Sequence, residues 1–478
     1  MSRINTNVGA LVAQTHLARS QQQLQSTLQR LSSGLRINRG ADDPAGLIAS
    51  ETLRSEISGI GQAIANSERA SNVIATAEGA LNEIASMLTS LQELIVGAAN
   101  EGAMSEDEIA ANQLQVDSAI ESITRIANTT TFAGLHLLNG SLSYVTSGVD
   151  ETSLQNLHVY SVQFGTNDYI PVNVQVVTSA QKAQLQFQSA KINENITIQV
   201  QGAQGVTELS FSSGTAASAI AFGVNTFSDA TGVQAQYINS ANPSSGISFQ
   251  STEYGSSAYL SVKALQAGAA FELVNPEGSP NNYDTGQDVT ATVNGILTQG
   301  DGLRLTLQSM GLDLEMLVAE DFGLDSTSFA ITGGGAKFQL GPAVNSNQQV
   351  NIGIRSVAAS SLGNQDIGYL SQIRTGGDYS LVTGHAREAS DIVQESIRQI
   401  AILRGRLGAF ERNTLQTNIN SLQVALENVT SSESQIRDAD FAYETSQLTR
   451  NQILSQAGTA VLSIANTTPQ SVLALLGG

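Results

Sequence analysis

The sequence has no cysteine and no tryptophan, 7 prolines in 478 residues, and 4 lysines among 22 basic side chains. Without cysteine there can be no disulfide, thiol catalysis, iron–sulfur cluster or Cys-ligated zinc. Charged residues make up 13% of the chain, about half the usual share. With 42 acidic and 22 basic residues the net charge is −20, which disfavours nucleic acid and anionic membranes as partners. No apolar run is long enough to span a bilayer. Met1-Ser-Arg-Ile-Asn-Thr-Asn7 leads into only a short apolar stretch, 8–13, with no A-x-A-like cleavage site. Either the chain stays in the cell or it leaves by a route that does not read a cleaved signal.

What is present is unevenly spread. Aromatics are missing from 1–131, number 18 of 23 in 132–338, and 5 thereafter. Residues 1–125 carry a net charge of −6, residues 126–350 carry −12, and residues 351–478 carry −2. Proline is absent from 45–170 and from 343–468. Two Arg-bearing, aromatic-poor arms therefore flank an acidic, aromatic-bearing middle, as when one chain leaves and returns to the same structural unit.

Both arms read as long helices. Leu17, Leu24 and Leu31 recur every seven residues, with Leu28 and Leu35 four after the last two, so the spacing predicts an a/d seam weakened upstream by Gln14 and Gln21. Asp43-Pro44 predicts an N-cap and first helical residue for a helix over 45–99. Ser105-Glu-Asp-Glu108 and Thr430-Ser-Ser-Glu433 read as capping boxes. A last helix, carrying Ile436, Tyr443, Ile453, Ala457 and Ile464, is expected to end before Pro469. The middle reads as strands, at 169–177, 192–200 and 305–307, and Gly333-Gly-Gly335 opens a hairpin through 338–340 and 348–354. The fold class is therefore helical at both termini, with a β-rich central insertion.

Narrow apolar stripes at both chain ends, with little else around them, point to self-assembly, because each stripe is buried only against the other end or a neighbouring copy. The plain alternative is a helical bundle with frayed tails. Signs of chemistry are weak. His16, His136, His158 and His385 lack metal-ligand spacing. Glu315, Glu320, Asp321 and Asp325 lack EF-hand spacing and read as a solvated acidic face. Gly333-Gly-Gly335 precedes a strand, which makes it a poor phosphate cradle. No nucleophile–base pair stands out in 166–334, so no catalytic, cofactor or metal site is expected.

Ile4-Asn-Thr-Asn7, Leu31-Ser-Ser-Gly-Leu-Arg-Ile-Asn38 and Ala41-Asp-Asp-Pro-Ala-Gly-Leu47 together resemble the N-terminal signature of bacterial flagellin. Ser432 to Ala442 (SESQIRDADFA), with Gln452-Ile453-Leu454, Gln456-Ala457 and Ala465-Asn466, resembles its C-terminal signature. The stretch 285–318 is similar to a small repeat inserted in many flagellins. The resemblance implies a subunit that polymerises into the flagellar filament, extracellular, exported by the flagellar type III apparatus without a cleaved signal. It implies an inner layer from 1–44 with 436–478, a helical bundle with a β-hairpin from 45–165 with 335–435, and a surface-exposed β-rich region from 166–334. The implied assembly seam holds Leu17, Leu24, Leu28, Leu31, Leu35, Ile453, Ala457 and Ile464. The implied partners are further copies of the chain, the filament cap and junction proteins, and an export chaperone. A junction protein, or a filament-borne adhesin or hydrolase, is the alternative. The stretch Thr89-Ser-Leu-Gln-Glu-Leu-Ile-Val96 is similar to the surface read by the flagellin-sensing Toll-like receptor. Glu93 and Leu94 persist there, but Ser90 and Gln92 replace arginines, so weak recognition is expected.

Overall fold

In a computed structural model, residues 6–100, 102–165, 167–266, 271–309 and 311–476 are described, with side chains up to Thr468. Ile4 and Asn5 of the N-terminal motif lie outside the described residues. The helices are α1 (Val8–Ser33), α2 (Pro44–Ala98), α3 (Glu106–Thr129), α4 (Ala217–Asn225), α5 (Ser228–Thr231), α6 (Ala386–Phe410), α7 (Thr417–Arg437) and α8 (Phe441–Leu476). The backbone forms two compact units, one of Met1–Ala70, Gln339–Val344 and Arg412–Gly478, the other of Ser71–Phe338 and Asn345–Glu411.

Most helix ends follow local chemistry. Asn7 Oδ1 accepts from Ala10 N at 3.0 Å and starts α1, and Gly34, at φ 73°, ends it in a left-handed turn that costs a glycine little. Asp43 Oδ1 accepts from Gly46 N at 2.9 Å, with Pro44 as the first residue of α2. Ser105 and Glu108 form the expected capping box. Thr430-Ser-Ser-Glu433 does not cap: it lies inside α7, where Ser432 Oγ donates to Asn428 O at 2.8 Å. The break comes later, at Asp440, whose Oδ1 accepts from Ala442 N at 2.9 Å and Tyr443 N at 3.1 Å. A carboxylate is the stronger acceptor, and Ile436 consequently belongs to α7. Nor does Pro469 end α8, which runs on to Leu476. A proline removes a single backbone donor, and the Leu and Ala residues beyond it favour helix.

In the first unit α1 lies antiparallel to α8, and the start of α2 lies antiparallel to α7. Arg437 Nη1 meets Glu51 Oε1 at 2.7 Å, and Asn418 Nδ2 donates to Ser67 Oγ at 3.1 Å. In the second unit, Ile74, Ala77, Leu81, Ile84, Leu88, Leu91 and Ile95 of α2 are fully buried at alternating spacings of 3 and 4. Val116, Ile120 and Ile123 of α3 and Ile392, Val393, Ile400 and Leu407 of α6 are buried as well, and Gln92 of α2 bonds to Ser390 of α6.

The rest of this unit is antiparallel sheet around two apolar cores. The first core lies between a five-stranded sheet, Ile296–Gln299, Thr290–Val293, Ile170–Thr178, Ser326–Gly334 and Tyr144–Ser147, and a three-stranded one, Arg304–Gln308, Leu312–Val318 and Leu154–Val162. Strands 144–147 and 154–162 thus complete sheets whose other members come from 170–334. The second core, residues 183–273, lies under α4 and is inserted between strands Ile170–Thr178 and Thr290–Val293. Its two connections meet: Gln181 N donates to Gln287 O and Gln287 N to Gln181 O, both at 2.9 Å. The glycine run is no loose hinge. Gly334 and Gly335 have φ of 92° and 79°, and a Cβ on them would strike Ser143 O and Asn351 Oδ1. Strands Ala336–Gln339 and Gln349–Ile352 form the expected hairpin.

Candidate assembly surface

The α1–α8 pair is held by a regular seam. On α1 the covered positions are Ala10, Ala13, Leu17, Ser20, Leu24, Thr27 and Leu31. On α8 they are Glu444, Leu448, Asn451, Ser455, Gly458, Leu462 and Ala465. Both sets step by 3 and 4, the period that keeps one stripe facing a partner helix. Polar contacts fix the antiparallel register from end to end. Asn7 Nδ2 donates to Ala465 O at 2.7 Å, Asn451 Nδ2 to Thr27 Oγ1 at 3.2 Å, and Arg30 Nη1 to Glu444 Oε1 at 3.2 Å. A Cβ on Gly458 would lie 3.1 Å from Leu17 Cδ1, so the glycine lets the helices approach closely there.

Beyond the helix ends the chain turns are stitched together. Arg36 N donates to Arg437 O at 2.7 Å, and Ala439 N to Gly34 O at 2.9 Å. Arg36 Nη2 reaches Ile436 O at 2.5 Å. Asp42 Oδ2 accepts from Arg39 N at 2.9 Å and Asn38 N at 3.0 Å, and these bonds, Arg39's first, hold its carboxyl below the usual range. The Asn38 and Asp42 of the N-terminal signature therefore close the turn between α1 and α2.

Of the residues expected in the seam, Leu17, Leu24 and Leu31 lie in it half-buried, and Leu35 sits just beyond in a bridge to Asp438. Leu28 does not: it is 47% exposed, on the outward row with Gln14 and Gln21. The position facing α8 is its buried neighbour Thr27. Ile453, Ala457 and Ile464 also face outward, Ile453 at 60% and Ile464 at 66% exposure. Val8, Leu11 and Val12 of α1 and Phe441, Tyr443 and Val461 of α8 are exposed too. The pair thus carries, outside its seam, an apolar surface on both helices.

In the 89–96 stretch Ser90 and Glu93 are exposed and Leu94 is half-buried. Gln92 turns toward α6, where its Nε2 donates to Ser390 Oγ at 2.8 Å. Glu315 is not on a solvated face. It is buried, with Oε1 2.8 Å from Arg304 Nη1 and Oε2 3.0 Å from the Tyr160 hydroxyl that donates to it. The strand pairing around it joins segments far apart in sequence and leaves no local signal. Among the described residues no cluster of His, Asp or Glu could hold a metal ion, and no helix is long and apolar enough to cross a membrane.

Comparison with known proteins gives a consistent result. The family described as the bacterial flagellin N-terminal helical region matches residues 4–143, and the bacterial flagellin C-terminal helical region matches 390–476. Flagellin A of Helicobacter pylori is 28% identical over 521 residues, covering 99% of each chain. The B-type flagellin of Pseudomonas aeruginosa is 30% identical over 512 residues, again covering 99% of each. Among solved structures, the flagellar cap protein FliD D1-D2-D3 domains from Escherichia coli are 15% identical, cover 67% of this chain and 89% of that one, and superpose with a TM-score of 0.28. The junction-protein and hydrolase alternatives gain no support. With both terminal regions matched in order and identity sustained from end to end, the chain belongs to the bacterial flagellin family and is a structural subunit of the extracellular flagellar filament.

Proposed function

We propose that the filament is built through the outward faces of α1 and α8, with the seam between them serving as the subunit's own brace. The observation that carries this is the exposure of Leu28, Ile453 and Ile464 beside a seam that is already filled. Burial of one such side chain is worth about 1.5–3 kcal/mol, and these contacts, repeated against several neighbours, offset the roughly 4–15 kcal/mol that association costs. Leu17, Leu24, Leu31 and Leu35 then act within the subunit, and Leu28, Ile453, Ala457 and Ile464 between subunits. Residues 1–44 with 436–478 form the inner layer, 45–165 with 335–435 the next, and 166–334 the outside. The chain works without enzymatic activity or cofactor. It leaves the cell by the flagellar type III apparatus without signal cleavage, and an export chaperone covers its apolar faces beforehand. The cap and junction proteins are its neighbours at the filament ends.

The test is a double variant, Ile453→Asp with Ile464→Asp, mixed with seeds and viewed by electron microscopy. The circular dichroism spectrum should match that of the parent monomer, and no filaments should grow. Filaments of parental length would remove this reading. Truncation of 1–35 or of 445–478 should also abolish growth.

Recognition by the flagellin-sensing Toll-like receptor is inferred to be weak, because Ser90 is short and Gln92 is engaged with Ser390. In reporter cells the Ser90→Arg, Gln92→Arg variant should be the more potent monomer. Equal potency would dismiss the explanation.

A further inference from the structure

Four arginines, Arg304, Arg355, Arg398 and Arg406, gather around the strand Leu154–Val162 and α6. Three are paired one to one with carboxylates. Arg304 Nη1 meets Glu315 at 2.8 Å, Arg398 grips Glu395 through Nε at 2.6 Å and Nη2 at 2.5 Å, and Arg406 Nη1 meets Asp313 at 2.5 Å. Arg406 also lies over the Tyr160 ring, 3.5 Å from its centroid.

Arg355 is different. Among the described residues it forms no ion pair, and its Nη1 donates to His158 Nε2 at 2.5 Å. That bond needs a neutral imidazole with Nε2 unprotonated. Burial is the largest influence on Arg355 and pulls its pKa below the ordinary guanidinium value. The same burial, followed by the Arg355 charge, pushes His158 down to about 4.

Arg355 and His158 line a cavity of about 90 Å³ together with Ser143, Tyr144, Thr146 and Leu403, and no carboxylate lines it. The Tyr144 hydroxyl accepts from Val162 N at 3.0 Å, which leaves its own proton to donate. The charges of Glu315 and Glu395 act on Arg355 from outside the cavity, but Arg304 and Arg398 already hold both carboxylates, so no counter-charge touches this largely buried cation, which is costly. Yet this one is set beside hydroxyl donors and a space worth a few waters, at about 30 Å³ each in the liquid. That space suits a halide or a small oxyanion and is too small for a nucleotide or a peptide segment.

We propose that this cavity binds a small inorganic anion, held by the Arg355 guanidinium with the Tyr144 and Thr146 hydroxyls. The anion serves as the fourth counter-charge of the arginine cluster. It ties the Tyr144–Ser147 strand to the segment after Ile352. A ligand that binds only the folded state raises stability in proportion to the logarithm of its concentration above Kd.

The experiment follows the thermal midpoint of the full-length monomer at constant ionic strength while gluconate is replaced first by chloride and then by phosphate. The midpoint should rise and saturate with at least one of the two in the parent protein, and should not respond in Arg355→Gln. No response in the parent, or the same response in both proteins, would overturn the proposal. Arg355→Gln also disturbs the His158 contact, so a second measurement uses the unaltered chain. Crystals soaked in bromide should show anomalous density within about 4 Å of the guanidinium, the limit for an ion contact. The absence of such a peak there, or a neighbouring subunit's carboxylate occupying the cavity in the filament, would refute it.

Discussion

Asn451 Nδ2 donates to Thr27 Oγ1 at 3.2 Å, and both residues are buried in the seam between α1 and α8. Thr27 Oγ1 donates in turn to Gln23 O at 3.0 Å, so it stays satisfied if Asn451 is lost. Of the three polar contacts along the seam this is the one buried on both sides, and a buried polar pair sets register more than it adds stability. Asn451→Leu should therefore change the stability of the monomer by no more than about 1 kcal/mol while letting the helices slip by a heptad. The cysteine-free background makes this easy to read. Leu17→Cys with Gly458→Cys should crosslink in the parent seam, and Leu24→Cys with Gly458→Cys should crosslink only in the Asn451→Leu protein. Identical crosslinking in both backgrounds would show that the register is set elsewhere.

The His158 imidazole supplies a pH signature. Its folded pKa, about 4, lies below an unfolded value of about 6.5. Above pH 6.5 both states are neutral at this site and it leaves stability unchanged. Between the two values only the unfolded chain takes the proton, so stability falls as pH falls, and it levels off below about 4. The span corresponds to at most about 3 kcal/mol. His158→Gln keeps an acceptor for Arg355 and removes the titration. Urea midpoints from pH 7 to pH 4 should fall less steeply for the variant than for the parent. Parallel curves would mean that His158 is as easily protonated in the folded protein as in the unfolded one.

The double hydrogen bond between Gln181 and Gln287 makes the second β core removable. Residues directly opposite in such a pair have Cα atoms about 5.5 Å apart, so a two-residue turn can bridge them. Excising 182–286 and joining the ends should leave a chain that still unfolds cooperatively and still forms filaments. A protein that expresses only as aggregate would show that the first core depends on the second. A cut at 166–334 is a harsher operation, since it strips strands 144–147 and 154–162 of their sheet partners.

Several of these features can be read in the sequence, and the reason others cannot is physical. Asp43, Ser105 and Gly34 are legible because a cap acts on backbone atoms within a few residues. Leu17, Leu24 and Leu31 are legible because a heptad of leucines needs no knowledge of its partner. Leu28 misleads because greasiness alone suggests an inward position, whereas Thr27 is the residue that faces α8. On the opposing stripe Leu448, Leu462 and Ala465 are interrupted by Glu444, Asn451, Ser455 and Gly458, so its apolar signal is diluted and shows only against α1. Glu315 looks solvated in isolation, and only a strand partner and Arg304 from a neighbouring strand reveal that it is buried. Asp440 outcompetes Thr430 as a cap, although the pattern at 430–433 fits the rule for capping boxes.

The α1–α8 brace also has a temporal meaning. Asn7 and Ala465, joined by one hydrogen bond, are separated by 458 positions along the chain. Contacts at such separations carry the largest loop-closure cost and form late. While a chain is delivered end first, whether from a ribosome or through an export channel, α1 has to wait for α8. The two apolar faces that the finished pair presents cannot be displayed side by side before the last helix arrives. Growth through those faces, as proposed, therefore waits on the arrival of α8.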